Sequence, residues 1–217
     1  MLSLDKCKEK FQIESFRGHQ EDIILHTLAK KNSLVLMPTG GGKSLCYQAP
    51  IFLSGKLGII ISPLISLMKD QVQKLRGFGE NAHYLNSTLD YEQKKEVHRD
   101  IVEGECRYLY VAPETALKKS FIRFIQSFEL SLIAIDESHC ISSWGSQFRP
   151  EYKELKNLIS HFPGTPVMAL TATANIQTRK DILINLGIEN ASIFTSSFDR
   201  PNIHLQFQKN IMSLSNS

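Results

Sequence analysis

The chain has 217 residues, of which 42% are hydrophobic and 22% charged, the composition of a globular protein long enough to bury one substantial core. Its net charge of +3 permits a polyanionic partner but is too small to indicate nucleic-acid binding by itself. The N-terminal segment is too charged for a signal peptide, and no apolar run is long enough to cross a bilayer, so we expect a soluble intracellular protein with no membrane partner.

Short apolar runs alternate along the chain with amphipathic stretches of helical length, a pattern typical of parallel strands joined by crossover helices. The predicted strands are 33–37, 58–62, 82–85, 108–112, 132–135, 166–170 and 192–195. The predicted helices are 64–75, 91–103, 152–160 and 176–186. We therefore expect an α/β fold with a mostly parallel sheet and helices on both faces. One domain is predicted over residues 1–205, and residues 206–217 are predicted to be a frayed tail or the start of a linker.

The cysteines form no CxxC pair, so neither a zinc site nor a dithiol redox motif is indicated. We expect free thiols in a reducing compartment at the four positions Cys7, Cys46, Cys106 and Cys140.

The first candidate site is MPTGGGKS, residues 37–44, which follows a predicted strand and opens a helical stretch. Consecutive glycines let the backbone aim successive N–H groups at phosphate oxygens, and the following helix adds its positive N-terminal end. Lys43 would then reach the β- and γ-phosphates, and the Ser44 hydroxyl would hold Mg²⁺. The strict pattern G-x-x-x-x-G-K-[ST] fails at Met37, which points to the helicase variant of this loop. A glycine-rich turn beside a chance Lys-Ser is the alternative. The predicted nucleotide-binding residues of the loop are Thr39, Gly40, Gly41, Gly42, Lys43 and Ser44.

A second candidate element is LIAIDESH, in which an apolar strand delivers Asp136 and Glu137 to its carboxyl end. Ligands of open α/β sheets bind at that edge. Asp136 would hold Mg²⁺, and Glu137 would accept a proton from the water that attacks the γ-phosphate. A lone Asp-Glu pair is most often a solvated strand end, so this prediction depends on the glycine loop upstream.

With DESHC beside MPTGGGKS, the pattern resembles the superfamily 2 helicases, and further segments narrow the resemblance to the RecQ family. CISSWGSQFRPEY at residues 140–152 is the most diagnostic, because it is similar to the aromatic-rich loop that distinguishes RecQ proteins. The other segments are FRGHQ at 16–20, ISPLISLMKDQV at 61–72, YVAPE at 110–114, ALTATA at 169–174 and SSFDRPNI at 196–203. The resemblance implies a first RecA-like lobe of a P-loop NTPase, with a second lobe supplied elsewhere in the parent chain.

The resemblance also implies roles for single residues. Gln20 would hydrogen-bond the adenine edge with Arg17 near the nucleotide, and His139 would belong to the catalytic group. Segment 61–72, with Ser62, Pro63 and Leu64, resembles a DNA-backbone motif, and segment 169–174, with Thr171 and Thr173, resembles the element that couples hydrolysis to motion.

The aromatic-rich loop suggests base stacking, which is worth about 1 to 3 kcal/mol per base. Trp144 and Phe148 are the candidates, and the alternative is that both rings belong to the core. Arg149 would pair with DNA phosphate or with Glu137 and the nucleotide. A further charge cluster is interpreted as a solvated helix face and comprises Lys118, Lys119 and Arg123.

Two departures from the RecQ pattern stand out. The family usually has Ala at the position of Ser138, a small change that should leave Glu137 and His139 in place. Ser146 and Gln147 stand where most members have His-Asp, and a hydroxyl cannot replace an imidazole as a two-ended hydrogen-bond relay.

The resemblance implies an ATP- and Mg²⁺-dependent motor that moves on single-stranded DNA in the 3′ to 5′ sense and unwinds tailed duplexes. Such a protein would be cytoplasmic, at the nucleoid in a bacterium, or nuclear in a eukaryote. Two alternatives are an RNA helicase of the same superfamily and a nucleotide-binding interaction module without motor activity. Because the resemblance places the arginine finger on the second lobe, we expect this chain alone to be nearly inactive.

Overall fold

The computed structural model describes residues 3–142 and 148–196. Within these ranges, seven parallel strands form one sheet in the order β3-β4-β2-β5-β6-β1-β7. The strands are β1 Ser33–Leu36, β2 Leu57–Ile61, β3 Ala82–Leu85, β4 Tyr108–Val111, β5 Leu130–Ile135, β6 Val167–Thr171 and β7 Ser192–Thr195.

Helices fill most connections between the strands. They are α1 Leu4–Lys10, α2 Gln20–Leu28, α3 Lys43–Ser54, α4 Ile65–Gly77, α5 Tyr91–Val102, α6 Pro113–Ala116, α7 Lys119–Ile125, α8 Pro150–Ser160 and α9 Ile176–Leu186, with a 3₁₀ turn at Ser138–Ile141. No helix among the described residues is both long and apolar enough to span a membrane.

The strand and helix predictions are confirmed, each within two residues at either end. Helix α3 was expected after the glycine loop without stated bounds, and the four other helices, α1, α2, α6 and α7, were not predicted. None of them exceeds nine residues, which is too short for a spacing of three and four residues to stand out. All four cysteines are free and buried, as expected of structural thiols.

Strands β1 to β6 present alternate residues to two separate cores. Leu34 and Leu36 pack with α5, α7, α8 and α9 on one face, whereas Val35 packs with α1 to α4 on the other. This arrangement confirms the prediction of a parallel sheet covered on both faces. At Gly58 a Cβ would lie 2.2 Å from Ile51 Cδ1, so glycine lets α3 pack closely on β2.

The strand order determines which loops meet. Because all strands are parallel, their carboxyl ends share one edge of the sheet. Strand β6 lies between β1 and β5, so the loop after β1 (37–44), the segment after β5 (136–139) and the segment after β6 (172–174) are neighbours at that edge.

Candidate nucleotide and nucleic-acid site

The loop between β1 and α3 has a backbone that favours glycine. Gly40 and Gly42 both have a φ of +81°, in the left-handed region. A Cβ at Gly41 would approach Met37 Cγ to 2.8 Å, and a Cβ at Gly42 would lie 2.3 Å from the Gln20 amide nitrogen. Helix α3 begins at Lys43 without a side-chain cap, so the N–H groups of its first turn face the loop. Such a loop and helix start can bind phosphate oxygens.

Gln20 is buried and holds this loop. Its Oε1 accepts a hydrogen bond from the Arg17 N–H at 2.8 Å, and its Nε2 donates to the Gly42 carbonyl at 3.1 Å. The amide therefore has partners within the chain, and its predicted bond to an adenine edge stays a prediction. Beside it lies a cavity of about 600 Å³, whose lining includes Arg17, Gln20, Gly42, Leu45 and Phe11. This volume is in the range of small-molecule sites.

Lys43 brings the loop and the two carboxylates together. Its Nζ lies 3.6 Å from Asp136 Oδ1 and 3.6 Å from Glu137 Oε1. Asp136 is held in place because its N–H donates to the Ile61 carbonyl at 2.9 Å, which continues the pairing of β5 with β2. Ser44 is the second residue of α3 and is half-buried. The residues predicted for phosphate and metal therefore lie at one edge of the sheet.

Glu137 has an unusual backbone for a residue other than glycine. Its φ of 51° and ψ of 39° lie in the left-handed region, a conformation that costs of order 1–3 kcal/mol. The Asp136 carboxylate accepts the Glu137 N–H at 3.0 Å and stabilises this turn. The turn directs the chain from β5 into the 3₁₀ segment that carries His139.

His139 connects the acidic segment to β6. Its Nδ1 lies 3.0 Å from Thr171 Oγ1 and 3.2 Å from Glu137 Oε2. The Thr171 hydroxyl donates its single proton to the Thr173 carbonyl at 3.1 Å. Thr171 must then accept from His139, which assigns the proton to Nδ1 and lets that N–H also face the Glu137 carboxylate. The structure thus brings His139, Glu137, Thr171 and Thr173 into one hydrogen-bonded group.

The pKa values of the two adjacent carboxyl groups are shifted in opposite directions. Burial raises the pKa of Asp136, and the positive charge of Lys43 opposes this effect. The hydrogen bond from His139 lowers the pKa of Glu137, although burial opposes it. The ionised form of Glu137 is therefore favoured, as a proton acceptor requires, whereas burial disfavours the ionised form of Asp136.

A second cavity, of about 680 Å³, extends from the phosphate loop toward the predicted DNA-contact segments. Its lining includes Thr39, Pro63, Leu64, Glu137, His139, Phe148, Arg149 and Thr173. Leu64 and Phe148 are exposed, and the Lys153 ammonium lies 5.1 Å from the Phe148 ring centroid. Phe148 is thus not a core residue. Exposed apolar side chains beside a positive charge can contact the bases and the backbone of a nucleic-acid strand.

Not every predicted DNA residue is accessible. Ser62 is 1% exposed, so its hydroxyl cannot reach a ligand without local movement. Trp144, Ser146 and Gln147 lie outside the described residues, so the prediction of base stacking by Trp144 stays open.

Buried polar groups that the motif patterns did not reveal support the site. The Tyr152 hydroxyl, on α8, donates to the Asp136 carbonyl at 2.9 Å. The Ser142 hydroxyl donates to Asp181 on α9 at 2.7 Å and ties the end of the 3₁₀ turn to that helix. Beneath the loop, Tyr110 donates to the hydroxyl of Tyr47 at 3.4 Å. They share no sequence signal, because Ser142 follows the 3₁₀ turn whereas Tyr152 and Tyr110 are buried positions of a helix and a strand. The sequence therefore does not identify their partners.

The comparison of sequences assigns the class of protein. The model of the DEAD/DEAH box helicase family matches residues 17–182, a range that includes the phosphate loop, both carboxylates and the predicted DNA-contact segment 61–72. The chain belongs to the DEAD/DEAH box helicase family, and this membership implies the use of ATP.

Within that family, the resemblance to the RecQ helicases is confirmed. The chain is 49% identical over 201 residues to the ATP-dependent DNA helicase RecQ of Pasteurella multocida, an alignment that covers 93% of this chain and 32% of the relative. It is 43% identical over 201 residues to the ATP-dependent DNA helicase RecQ of Bacillus subtilis, covering 92% of this chain and 34% of the relative. The chain spans about a third of the length of these relatives.

The fold has solved counterparts. The DEAD-box helicase Mss116 bound to ssRNA and UDP-BeF matches with a TM-score of 0.69 at 14% identity, over 90% of this chain and 43% of that structure. Likeness at this identity establishes the fold alone. The prediction of a RecA-like P-loop domain is therefore confirmed.

Proposed function

We propose that the chain is the ATP-binding lobe of an ATP-dependent helicase that translocates on single-stranded DNA in the 3′ to 5′ sense and separates duplexes. The observation that carries this proposal is the convergence of Lys43, Asp136 and Glu137, with Lys43 3.6 Å from both carboxylates at the mouth of a glycine loop. The relatives that match over most of the chain are named ATP-dependent DNA helicases, which supports DNA as the strand.

Each residue of the cluster has a chemical task. The loop amides and Lys43 bind the β- and γ-phosphates and orient the γ-phosphate at the sheet edge. Glu137, kept ionised by His139, accepts the proton of the attacking water. Gln20, Arg17 and the adjoining cavity receive the base, with Gln20 exchanging one of its present contacts for the adenine edge.

The donor set at the edge fits Mg²⁺. The ion prefers oxygen ligands and commonly takes only one or two carboxylates, because it keeps several waters and binds phosphate oxygens. Asp136 and the Ser44 hydroxyl would hold it. Among the described residues no cluster of three or more His, Cys, Asp or Glu side chains forms a metal cage, so the fit is to a nucleotide-bound ion. Bound there, Mg²⁺ would neutralise phosphate charge.

The nucleic-acid side of the proposal is the second cavity. Its lining joins Glu137 and His139 to Pro63, Leu64, Phe148 and Arg149, so a strand lying there would contact residues hydrogen-bonded to the catalytic carboxylate. The second lobe of the parent chain, which would complete the strand track and supply an arginine finger, is part of the proposal.

Two substitutions test the nucleotide site. Lys43→Ala should lower the affinity for ATP with Mg²⁺ by about tenfold or more and abolish turnover, because charge-assisted bonds to phosphate are lost. Glu137→Gln should keep the affinity and lose turnover, because the amide cannot accept the proton. Calorimetric titration and phosphate release, measured in a chain that includes the second lobe, distinguish the two effects.

The exposed Lys31 provides the matched control, since Lys31→Ala removes the same charge away from the loop. ATP affinity and turnover equal to those of this control in the Lys43 variant would contradict the proposal. An RNA helicase is the competing function. Stronger stimulation of ATPase activity by RNA strands than by DNA strands would favour it.

A further inference from the structure

The 3₁₀ turn that carries His139 is bonded at both ends to one neighbouring unit, which consists of β6 and α9. At the start of the turn, His139 Nδ1 lies 3.0 Å from the Thr171 hydroxyl, at the end of β6. Just after the turn, the Ser142 hydroxyl donates to Asp181 Oδ2 on α9 at 2.7 Å. Residues 172–175 connect β6 directly to α9. Both bonds therefore attach the turn to the same continuous stretch of chain.

Asp181 is itself well placed to hold Ser142. Its second carboxylate oxygen accepts a hydrogen bond from Gln177 Nε2 at 3.0 Å, and the next residue, Ile182, is fully buried in the core under α9. Ser142 is 1% exposed, so its bond to the carboxylate is shielded from water. A hydroxyl bond of 2.7 Å to a carboxylate is among the short, strong hydrogen bonds of proteins. The pair therefore fixes the position of Ser142 relative to α9.

Ser142 directly precedes residues 143–147 of the aromatic-rich loop, and Phe148 and Arg149 follow them. The Arg149 N–H donates to the Cys140 carbonyl at 2.9 Å, so the return end of the loop is also bonded to the 3₁₀ turn. Phe148 and Arg149 line the second cavity together with the catalytic carboxylate. A displacement of this loop therefore acts on the same turn that positions the hydrolysis site.

We propose that Asp181 is a positioning residue for the coupling of DNA binding to hydrolysis. By binding the Ser142 hydroxyl, it fixes the start of the aromatic-rich loop relative to Glu137, so that a strand bound at the loop acts on the hydrolysis site through the turn. Asp181 lines neither cavity of the site, so it acts through Ser142 and not by contact with a ligand. The coupling role rests on the proposed function, whereas the hold of Asp181 on the loop does not.

Substitutions can separate this bond from the general loss of a side chain. Asp181→Ala and Ser142→Ala each remove the bond, whereas Asp181→Asn retains an oxygen that can accept from Ser142 and is the conservative variant. Gln177→Ala removes the other partner of the carboxylate. Glu154→Ala is the matched charge control, because it removes an exposed carboxylate from the adjacent helix α8.

The first arm uses the fluorescence of Trp144, which is the single tryptophan of the chain and lies in the loop. We expect the constant for quenching by acrylamide to rise about twofold in Asp181→Ala and in Ser142→Ala, because the start of the loop is released locally. Asp181→Asn, Gln177→Ala and Glu154→Ala should keep the value of the unsubstituted chain. Denaturation curves verify that each variant is folded, and the arm requires neither ATP nor DNA.

The second arm measures ATP turnover in the two-lobed parent chain, with and without an oligothymidylate. Asp181→Ala should lower the maximal DNA-stimulated rate about fivefold and leave the unstimulated rate and the KM for ATP unchanged. Asp181→Asn should restore the stimulation. Asp181→Ala combined with Ser142→Ala should lower the stimulated rate no further than Asp181→Ala alone, because both substitutions remove the same bond.

Unchanged quenching of Trp144 in both alanine variants overturns the proposal, and so does full DNA stimulation in both. A parallel loss of stimulated and unstimulated turnover in Asp181→Ala also overturns it, since that result indicates a contact that only stabilises the fold. An unsubstituted two-lobed chain without DNA-stimulated turnover would instead contradict the proposed function. The quenching arm then still shows whether Asp181 holds the loop.

Discussion

At the residue scale, Ser138 carries a hydroxyl that the fold does not use. The residue is fully buried, and its Oγ has no hydrogen-bond partner among the described residues. We expect Ser138→Ala to raise the free energy of unfolding by about 1 kcal/mol, because the desolvated hydroxyl is removed without leaving a large cavity. Chemical denaturation measures the change.

A partly buried serine with a partner is the control. Ser131 donates to the Leu57 carbonyl at 3.0 Å, so Ser131→Ala should lower the free energy of unfolding by a similar amount. Equal destabilisation by both substitutions would show that Ser138 also has a partner. The departure from the usual family Ala at Ser138 is thus interpreted as a small loss of stability beside an otherwise unchanged site.

Asp136 gives a pH-dependent prediction. Burial raises its pKa in the folded state, so the folded chain binds more protons than the unfolded chain between the two pKa values. Stability contributed by this group therefore falls as pH rises through that interval. Asp136→Asn removes the buried charge and should therefore raise the free energy of unfolding relative to the unsubstituted chain. This increase should be absent well below the ordinary carboxyl pKa and fully present at neutral pH.

Denaturation curves of Asp136→Asn and the unsubstituted chain, recorded at acidic and neutral pH, test this sign. The exposed Asp70 is the comparison, because Asp70→Asn makes the same substitution away from the buried cluster. A stability difference for Asp136→Asn that shrinks toward neutral pH would show that Lys43 outweighs burial. Turnover should be lost in this variant whatever its stability, because the proposed metal ligand is gone.

At the element scale, two glycines of the loop share a backbone conformation but differ in the room that a side chain would have. Gly40 and Gly42 both have a φ of +81°, but a Cβ at Gly40 meets nothing within 4 Å, whereas at Gly42 it meets Gln20. Gly40→Ala should cost only left-handed strain, about 1–2 kcal/mol. Gly42→Ala should cost at least about 1 kcal/mol more, because Gln20 must leave its bonds to the loop.

Thermal or chemical denaturation of both variants measures that difference. Equal destabilisation by the two substitutions would mean that Gln20 can move aside without lowering the free energy of unfolding. In that event its bond to the Gly42 carbonyl does not stabilise the loop, and the residue is free to serve the base alone.

Sequence patterns predicted the elements that are periodic and long. Strands such as β2 and helices such as α5 have an apolar spacing that burial enforces, and the chemical motifs follow directly from strand ends. The pattern could not show that Ser62 is buried, that both ends of the Gln20 amide are bonded within the chain, or that Thr171 bonds His139. Those facts depend on strand order, and the pairing of strands distant in sequence is not encoded in local periodicity.

At the scale of the whole molecule, the proposed function requires a second lobe. If the arginine finger lies on the second lobe, ATP turnover by this chain alone should be lower than that of the two-lobed parent by about 10³ to 10⁵. If opening and closing between two lobes drives translocation, as the proposed function implies, the single lobe should separate no strands of a 3′-tailed duplex. Phosphate release and a gel assay of unwinding measure the two activities.

The two-lobed chain is the positive control, and the Glu137→Gln variant of the single lobe reveals contaminating activity. Unwinding by the single lobe that disappears in Glu137→Gln would contradict the requirement for a second lobe. Failure of the two-lobed chain to hydrolyse ATP in the presence of single strands would count against the proposed function.

The strand order also constrains when the nucleotide loop can form. Among residues 3–142 and 148–196, strand β1 pairs only with β6 and β7, so that Ser33 lies beside Met168 and Ser192. A ribosome would therefore have to release most of the chain before β1 acquires either neighbour, and pairings of such separation form slowly. Until then both edges of β1 are unpaired and open to association with other chains. The glycine-rich loop 37–44 therefore follows a strand whose pairing is among the last to form.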